Sequence, residues 1–463
     1  MKVFLLILAI LPLLFLSLIL LINYKRLDKL LVAVLFATFL HELLLVSFPI
    51  FYSIVTDFEH ETNLNITVAI KDLVNVMIGE TIYVFSFCMT LFIGLSIRKR
   101  WVFKENNKIV TPIFVNTTEK KLFVFLIIVG GVTFFLQLVG MGISISNPVL
   151  AQLDAWSSGI FFSFTPLVAS AILVTKKDSI KYHPNLFKMA SICLVSLLVL
   201  GVLTASRGRI MWVASLVLIM GFVNNNKKII YISLISLILF LPLFSFLGNF
   251  KSLAATSMIS GGNSLDLFKI IYEERNTVAE VSQNNSFFYN FAERAQGPRN
   301  SIVLYDLYDQ GDGAKASIYL GSIFFPAPRL VLPDKPIPGS FNEDENNSAV
   351  FKVMSIAHDV PYMGPMLASS HAYWEGGYLA VFIYGILTAF LWLVAFLLGV
   401  KLPYNLFAIV VLSFSAALLI DGFLTMFSPI YAYILILWKW IIPTIFLYLI
   451  LSPLKKAGKY TIQ

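Results

Sequence analysis

The chain has 463 residues, of which 58% are hydrophobic and only 13% charged, with a formal net charge of +8. A soluble domain is typically about 45–50% apolar and about 25% charged. The composition therefore excludes a disordered chain, a disulfide-stapled scaffold and an ordinary cytosolic enzyme, and it predicts an all-α polytopic membrane protein.

A membrane span needs roughly 20 mostly apolar residues. Eleven stretches meet this: 3–22, 30–52, 73–97, 122–142, 159–175, 187–204, 207–223, 229–249, 377–400, 404–424 and 431–452. The first is too long for the apolar part of a signal peptide and is followed by no small-residue cleavage site, so it reads as a span. The organisation predicted is a membrane bundle of eight helices over 1–249, one long linker over 250–375 and a bundle of three helices over 376–463. Cys88 and Cys193 lie inside apolar runs and offer neither a disulfide framework nor zinc spacing.

Charge alternates along the linkers. Segments 23–29, 98–121, 176–188, 224–228, 401–403 and 453–463 hold 20 of the 34 Lys and Arg but only four acids, Asp28, Glu105, Glu119 and Asp178. The others are acidic or mixed, as at Asp57, Glu59 and Glu61. Basic linkers stay inside, so the N-terminus is expected outside and the C-terminus in the cytoplasm. The net positive charge then sets orientation and does not imply nucleic acid.

This orientation puts a tight turn and the long linker on the outer face. In Ser206-Arg207-Gly208-Arg209, two arginines flank a glycine just before an apolar helix. Their forks suit phosphate oxygens, and the helix start adds free N–H groups. The bland alternative is a pair of snorkelling arginines. In the long linker, Leu265, Phe268, Ile271 and Tyr272, then Val278 and Val281, predict short amphipathic helices. Further on, four prolines between Phe324 and Pro336 stiffen the backbone around Arg329 and Lys335. That segment is either a ligand-facing frame or a surface strap.

At the approach to the ninth span stands Ser369-Ser370-His371-Ala372-Tyr373-Trp374-Glu375-Gly376-Gly377. A helix beginning at the serines puts His371 and Glu375 on one face, one turn apart. Either can serve as general base towards a sugar hydroxyl. Tyr373 and Trp374 suit stacking on a sugar ring or the interfacial aromatic belt. Within spans, His41, Glu42, Glu80 and Lys439 are costly charges; His41-Glu42 reads as a proton or ion path or as an internal polar bridge, and Lys439, between Trp438 and Trp440, as a residue within reach of a lipid-linked phosphate. Glu343-Asp344-Glu345 lacks the spacing of a calcium loop, and no nucleotide or serine-hydrolase motif occurs.

Three of these stretches together resemble the Wzy-type polymerases of O-antigen and other oligosaccharide repeat units. Ser206 to Arg209 is similar to the family's Arg-rich outer turn. Phe325 to Pro336 is similar to its Pro-Arg and Pro-x-Lys-Pro segment. His371 to Gly377 is similar to its acidic, Tyr- and Gly-containing approach to a late helix. The resemblance implies a GT-C-like glycosyltransferase in a bacterial cytoplasmic membrane, independent of metal and cofactor. It implies transfer of a glycan from undecaprenyl diphosphate to a lipid-linked repeat unit. Arg207, Arg209, Arg329 and Lys335 would hold the diphosphate, Glu375 or His371 would be the base, and Tyr373 and Trp374 would meet sugar. Partners would be the lipid-linked substrates, the bilayer and a chain-length regulator. The alternatives are an O-antigen ligase using the same donor and, in a different class, a flippase for lipid-linked oligosaccharide.

Overall fold

The computed structural model describes residues 1–23, 29–56, 70–97, 184–203, 226–236, 297–311 and 367–401, with isolated helical positions between 127 and 221. Every regular element among them is helical. Helix α1 spans Lys2–Asn23 and α2 spans Lys29–His41. A π-helical stretch over Glu42–Ser47 leads directly into α3, Phe48–Thr56. Then follow α4 (Ile70–Ile97), α5 (Pro184–Leu203), α6 (Gly297–Asp309) and α7 (Ala368–Lys401).

Among the described residues, three helical stretches are long and apolar enough to cross a membrane: Lys2–Ile22, Thr38–Val55 and Lys71–Ser96. They correspond to the first three predicted spans, the second running further towards its C-terminal end than composition suggested. The helix in α5 covers the predicted sixth span and α7 the ninth. The remaining predicted spans lie outside the described residues, wholly or for the most part.

Apolar side chains both fill the bundle and cover its outside. On α1, Phe4, Leu14, Leu18 and Leu21 are exposed, whereas Leu5, Leu8, Ala9 and Leu16 are buried. Pro12 lies inside this helix, a residue tolerated in spans where neighbours meet the freed carbonyl. Polar groups stitch the helices together. Ser47 Oγ donates to the Ala9 carbonyl at 2.8 Å, and Thr81 Oγ1 donates to that of Leu8 at 3.4 Å. The rings of Phe15 and Phe85 meet at 5.3 Å.

Contacts rise together along α1 and α4 (Leu8 with Thr81, Phe15 with Phe85), so these helices run in the same direction. The long half of α7 also runs parallel to α4. Tyr378 reaches Asn75, Gly385 meets Ser86, and Gly94 faces Leu393. The α4–α7 seam is tight because glycine lets the backbones approach. A Cβ on Gly385 would overlap Ser86 Oγ and come within 2.5 Å of the Tyr83 carbonyl oxygen. Beside it, the hydroxyls of Tyr83 and Thr388 are hydrogen-bonded at 2.8 Å.

Helix α7 is broken near its start. Gly377 has φ of +67°, a conformation glycine adopts without steric penalty, and the helical course is interrupted at Gly376–Gly377. Residues 368–375 therefore form a separate short half-helix. It starts one residue before the predicted serines, with the Ser370 and His371 amides on the Leu367 carbonyl.

Helix α6 belongs to the long linker, yet it is an internal element. Ten of its thirteen residues are buried, including Arg299, Asn300 and Ser301. Gly297 lies against the Leu45 carbonyl and the Leu367 side chain, at the depth of the second span. Its other end reaches the beginning of α4, where Asp306 feels the charges of Asp72 and Lys71. Helix α6 thus packs inside the helical bundle, against α4 and α7. The amphipathic stretches predicted at 265–281 lie outside the described residues.

Candidate functional site

The half-helix 368–375 and α6 build one polar and aromatic cluster. Ser301 sets their relation. Its hydroxyl donates to the Gly297 carbonyl at 2.7 Å and accepts from the Leu367 amide at 2.8 Å. One α6 side chain thereby satisfies a backbone donor just ahead of the half-helix.

Tyrosines fill the space between the two elements. Tyr305 and Tyr373 stack with centroids 3.9 Å apart and planes inclined by 15°. Tyr308 and Tyr378 approach Tyr373 edge-on at 4.9 and 4.8 Å. The Tyr373 hydroxyl donates to Asp309 Oδ1 at 3.1 Å. Burial above all, then the hydrogen bond to Asp309 and its charge, pushes the Tyr373 phenol up. Burial does the same to Tyr305. Both phenols are therefore neutral donors and not bases. At the rim, partial burial first, then Asp72 and Asp309, pushes the Asp306 carboxyl up.

His371 and Glu375 share this half-helix, as predicted. His371 is 8% exposed and Trp374 4% exposed, so both are enclosed by the bundle and do not lie open at a membrane mouth. Glu375 is half-buried beside the helix break. Tyr373 and Trp374 do not form a lipid-facing belt. One face of Tyr373 is taken by Tyr305. Arg207, Arg209, Arg329 and Lys335 lie outside the described residues.

Sequence reading missed α6 and with it Ser301, Tyr305, Tyr308 and Asp309. A signal was present. Gly297-Pro298 is a helix start with proline at its first turn, and Tyr305 and Tyr308 are spaced three apart on one face.

A second cluster lies deeper. Glu42 and Glu80 are both buried in the bundle, 3% and 6% exposed. Ser369, at the start of the half-helix, donates to Glu80 Oε2. Glu42 opens the π-helical stretch, a distortion often found at functional sites. No group of three or more metal-ligating side chains occurs among the described residues. Comparisons with family models, with curated proteins and with solved structures gave no match.

Proposed function

We propose that this chain is a membrane glycosyltransferase that polymerises lipid-linked oligosaccharide repeat units at the outer face of a bacterial cytoplasmic membrane. One observation carries the reading most. Residues 312–366, which include Arg329 and Lys335, leave from Gly311 and return at Leu367. Both ends of this segment are anchored at the cluster bearing His371 and Glu375, through Asp309 to Tyr373 and through Ser301 to Leu367. The chain segment that carries Arg329 and Lys335 thus begins and ends next to residues packed around the candidate base.

In this reading Arg207, Arg209, Arg329 and Lys335 bind the diphosphate of the donor. They stabilise the charge that develops on it as the glycosidic bond breaks. Glu375, or His371 one turn away, takes the proton from the attacking hydroxyl of the repeat unit. Tyr373 and Trp374 are the aromatics proposed to meet sugar. No metal or cofactor enters the scheme. The GT-C-like architecture and the topology of eleven spans, N-terminus out and C-terminus in, belong to the same proposal.

Arg207→Ala and Arg329→Ala are each expected to abolish polymer while the protein remains inserted, leaving single repeat units on the final acceptor. Normal polymer from both variants would remove the diphosphate site. Loss of all attached units, with lipid-linked polymer retained, would indicate a ligase instead. A reporter fused after Gly311 is expected to be active only outside the cytoplasm; cytoplasmic activity would overturn the orientation.

The buried carboxyl groups of Glu42 and Glu80 favour one competing reading, a flippase driven by an ion gradient. Purified protein in detergent separates the two. A polymerase extends lipid-linked units there without a membrane, whereas a flippase forms no polymer.

A further inference from the structure

Contacts with α4 show how the half-helix 368–375 sits. Ser369 Oγ donates to Glu80 Oε2, the Tyr378 hydroxyl donates to the Asn75 carbonyl at 3.5 Å, and Gly385 meets Ser86. A straight helix parallel to α4 would move its contact point about 13 Å along α4 between Ser369 and Tyr378. The contact point instead moves back, from Glu80 to Asn75, before the long half of α7 carries it forward to Ser86. The half-helix therefore does not continue the course of the long half. The change falls at Gly376–Gly377, where the backbone is non-helical.

That break has a mechanical consequence. A helix holds its direction through its ladder of backbone hydrogen bonds. The long half is docked on α4 by Gly385 against Ser86 and by Tyr83 with Thr388. Across two non-helical glycines, that docking does not by itself orient the half-helix. Contacts of the half-helix with its neighbours must do so. Helix α6 supplies Ser301 to the Leu367 amide, Asp309 to the Tyr373 hydroxyl and Tyr305 to the Tyr373 ring. Helix α4 supplies Glu80 to Ser369.

Glu80 is suited to this task. Its side chain and that of Ser369 are both buried. It stands one turn before Tyr83, on the face of α4 that receives α7. A carboxyl group inside an apolar span is costly, and a donor from another helix offsets that cost. Ser369 is the second residue of the half-helix, so the acceptor lies at the helix start, where unpaired amides form the positive end. His371 and Glu375 follow on the same short element, so a shift at Ser369 is carried to both.

We propose that Glu80 is a positioning residue of the candidate site: through Ser369 it seats the half-helix on α4 and thereby sets where His371 and Glu375 stand. The inference rests on the reading of Glu375 or His371 as the base, but its first test measures no polymer.

Hydrogen exchange of the full-length protein in detergent, read by mass spectrometry, reports the seating. Glu80→Leu keeps the span apolar and removes the acceptor; Ser369→Ala removes the donor. Each is expected to speed amide exchange within 368–375 roughly three- to tenfold, the factor set by one hydrogen bond, while α1 and the long half of α7 exchange as in the wild type. Glu80→Gln keeps an acceptor oxygen and is expected to restore the wild-type rate. Unchanged exchange in 368–375 in both Glu80→Leu and Ser369→Ala overturns the proposal. Acceleration across the whole bundle also overturns it, making Glu80 a general packing residue. Should Glu80→Leu not fold, Ser369→Ala decides alone. In polymer assays the two variants are expected to lower kcat about tenfold or more with the KM for lipid-linked donor unchanged. The double variant should be no slower than either single one. A raised KM with wild-type kcat overturns the positioning role. A wild type that makes no polymer removes the polymerase reading and leaves the exchange result to decide the seating.

Discussion

Gly385→Leu is expected to unseat α7 from α4 and to leave little folded protein. The Gly385 Cβ position already overlaps Ser86 Oγ and lies 3.2 Å from the Phe87 amide nitrogen, so the obstruction includes backbone that cannot rotate away. Overpacking a filled interior typically costs about 1–3 kcal/mol. Here the cost is compounded, because separating the helices also opens the buried Tyr83–Thr388 hydrogen bond, worth roughly 0.5–1.5 kcal/mol. Size-exclusion chromatography of detergent extracts with a thermal ramp reads the outcome. Gly131→Ala is the control, since a Cβ there meets nothing within 4 Å among the described residues. A Gly385→Leu protein that is monodisperse and melts with the wild type would mean that the seam is looser than described.

Glu375→Gln is expected to give the largest functional effect. The amide keeps the size and hydrogen-bonding reach of the side chain but cannot take a proton. General-base catalysis contributes about 10²–10⁴-fold, and turnover should fall within that range. Binding of the lipid-linked donor should persist, because the proposed diphosphate contacts lie on other residues. The measurement is polymer formation by purified protein alongside donor binding. Wild-type turnover would remove Glu375 as base and shift the role to His371. Loss of binding together with turnover would make Glu375 a structural residue of the half-helix.

The fold was legible where composition alone decides it. Unbroken apolar runs at 3–22 and 73–97 gave spans that match α1 and α4 closely. The double glycine at 376–377 marked the point where α7 changes course, and the predicted ninth span begins there. What could not be read was the inside of the bundle. Residues 297–309 are too polar to register as a span and too evenly buried to show an amphipathic face. Their burial is set by tertiary partners at Gly79, Leu367 and Tyr373, hundreds of residues away in two cases from one another. The contact of Ser369 with Glu80 was equally invisible. That carboxylate was a conspicuous cost in its own span, but only the docking of the half-helix shows what meets it.

The seam between α4 and α7 also fixes an order of events in the making of the protein. Tyr83 and Thr388 are 305 residues apart. At a synthesis rate of about 5–20 residues per second, α4 leaves the ribosome roughly 15–60 s before its partner exists. For that interval Glu80, Tyr83 and Ser86 lie in or beside the bilayer without the hydroxyls and backbone of α7 that later cover them. A nascent span in that state needs a temporary companion, whether an earlier helix of the same chain or the insertion machinery. Slowing synthesis between α4 and α7 should therefore lower the yield of folded protein more than slowing it after residue 401.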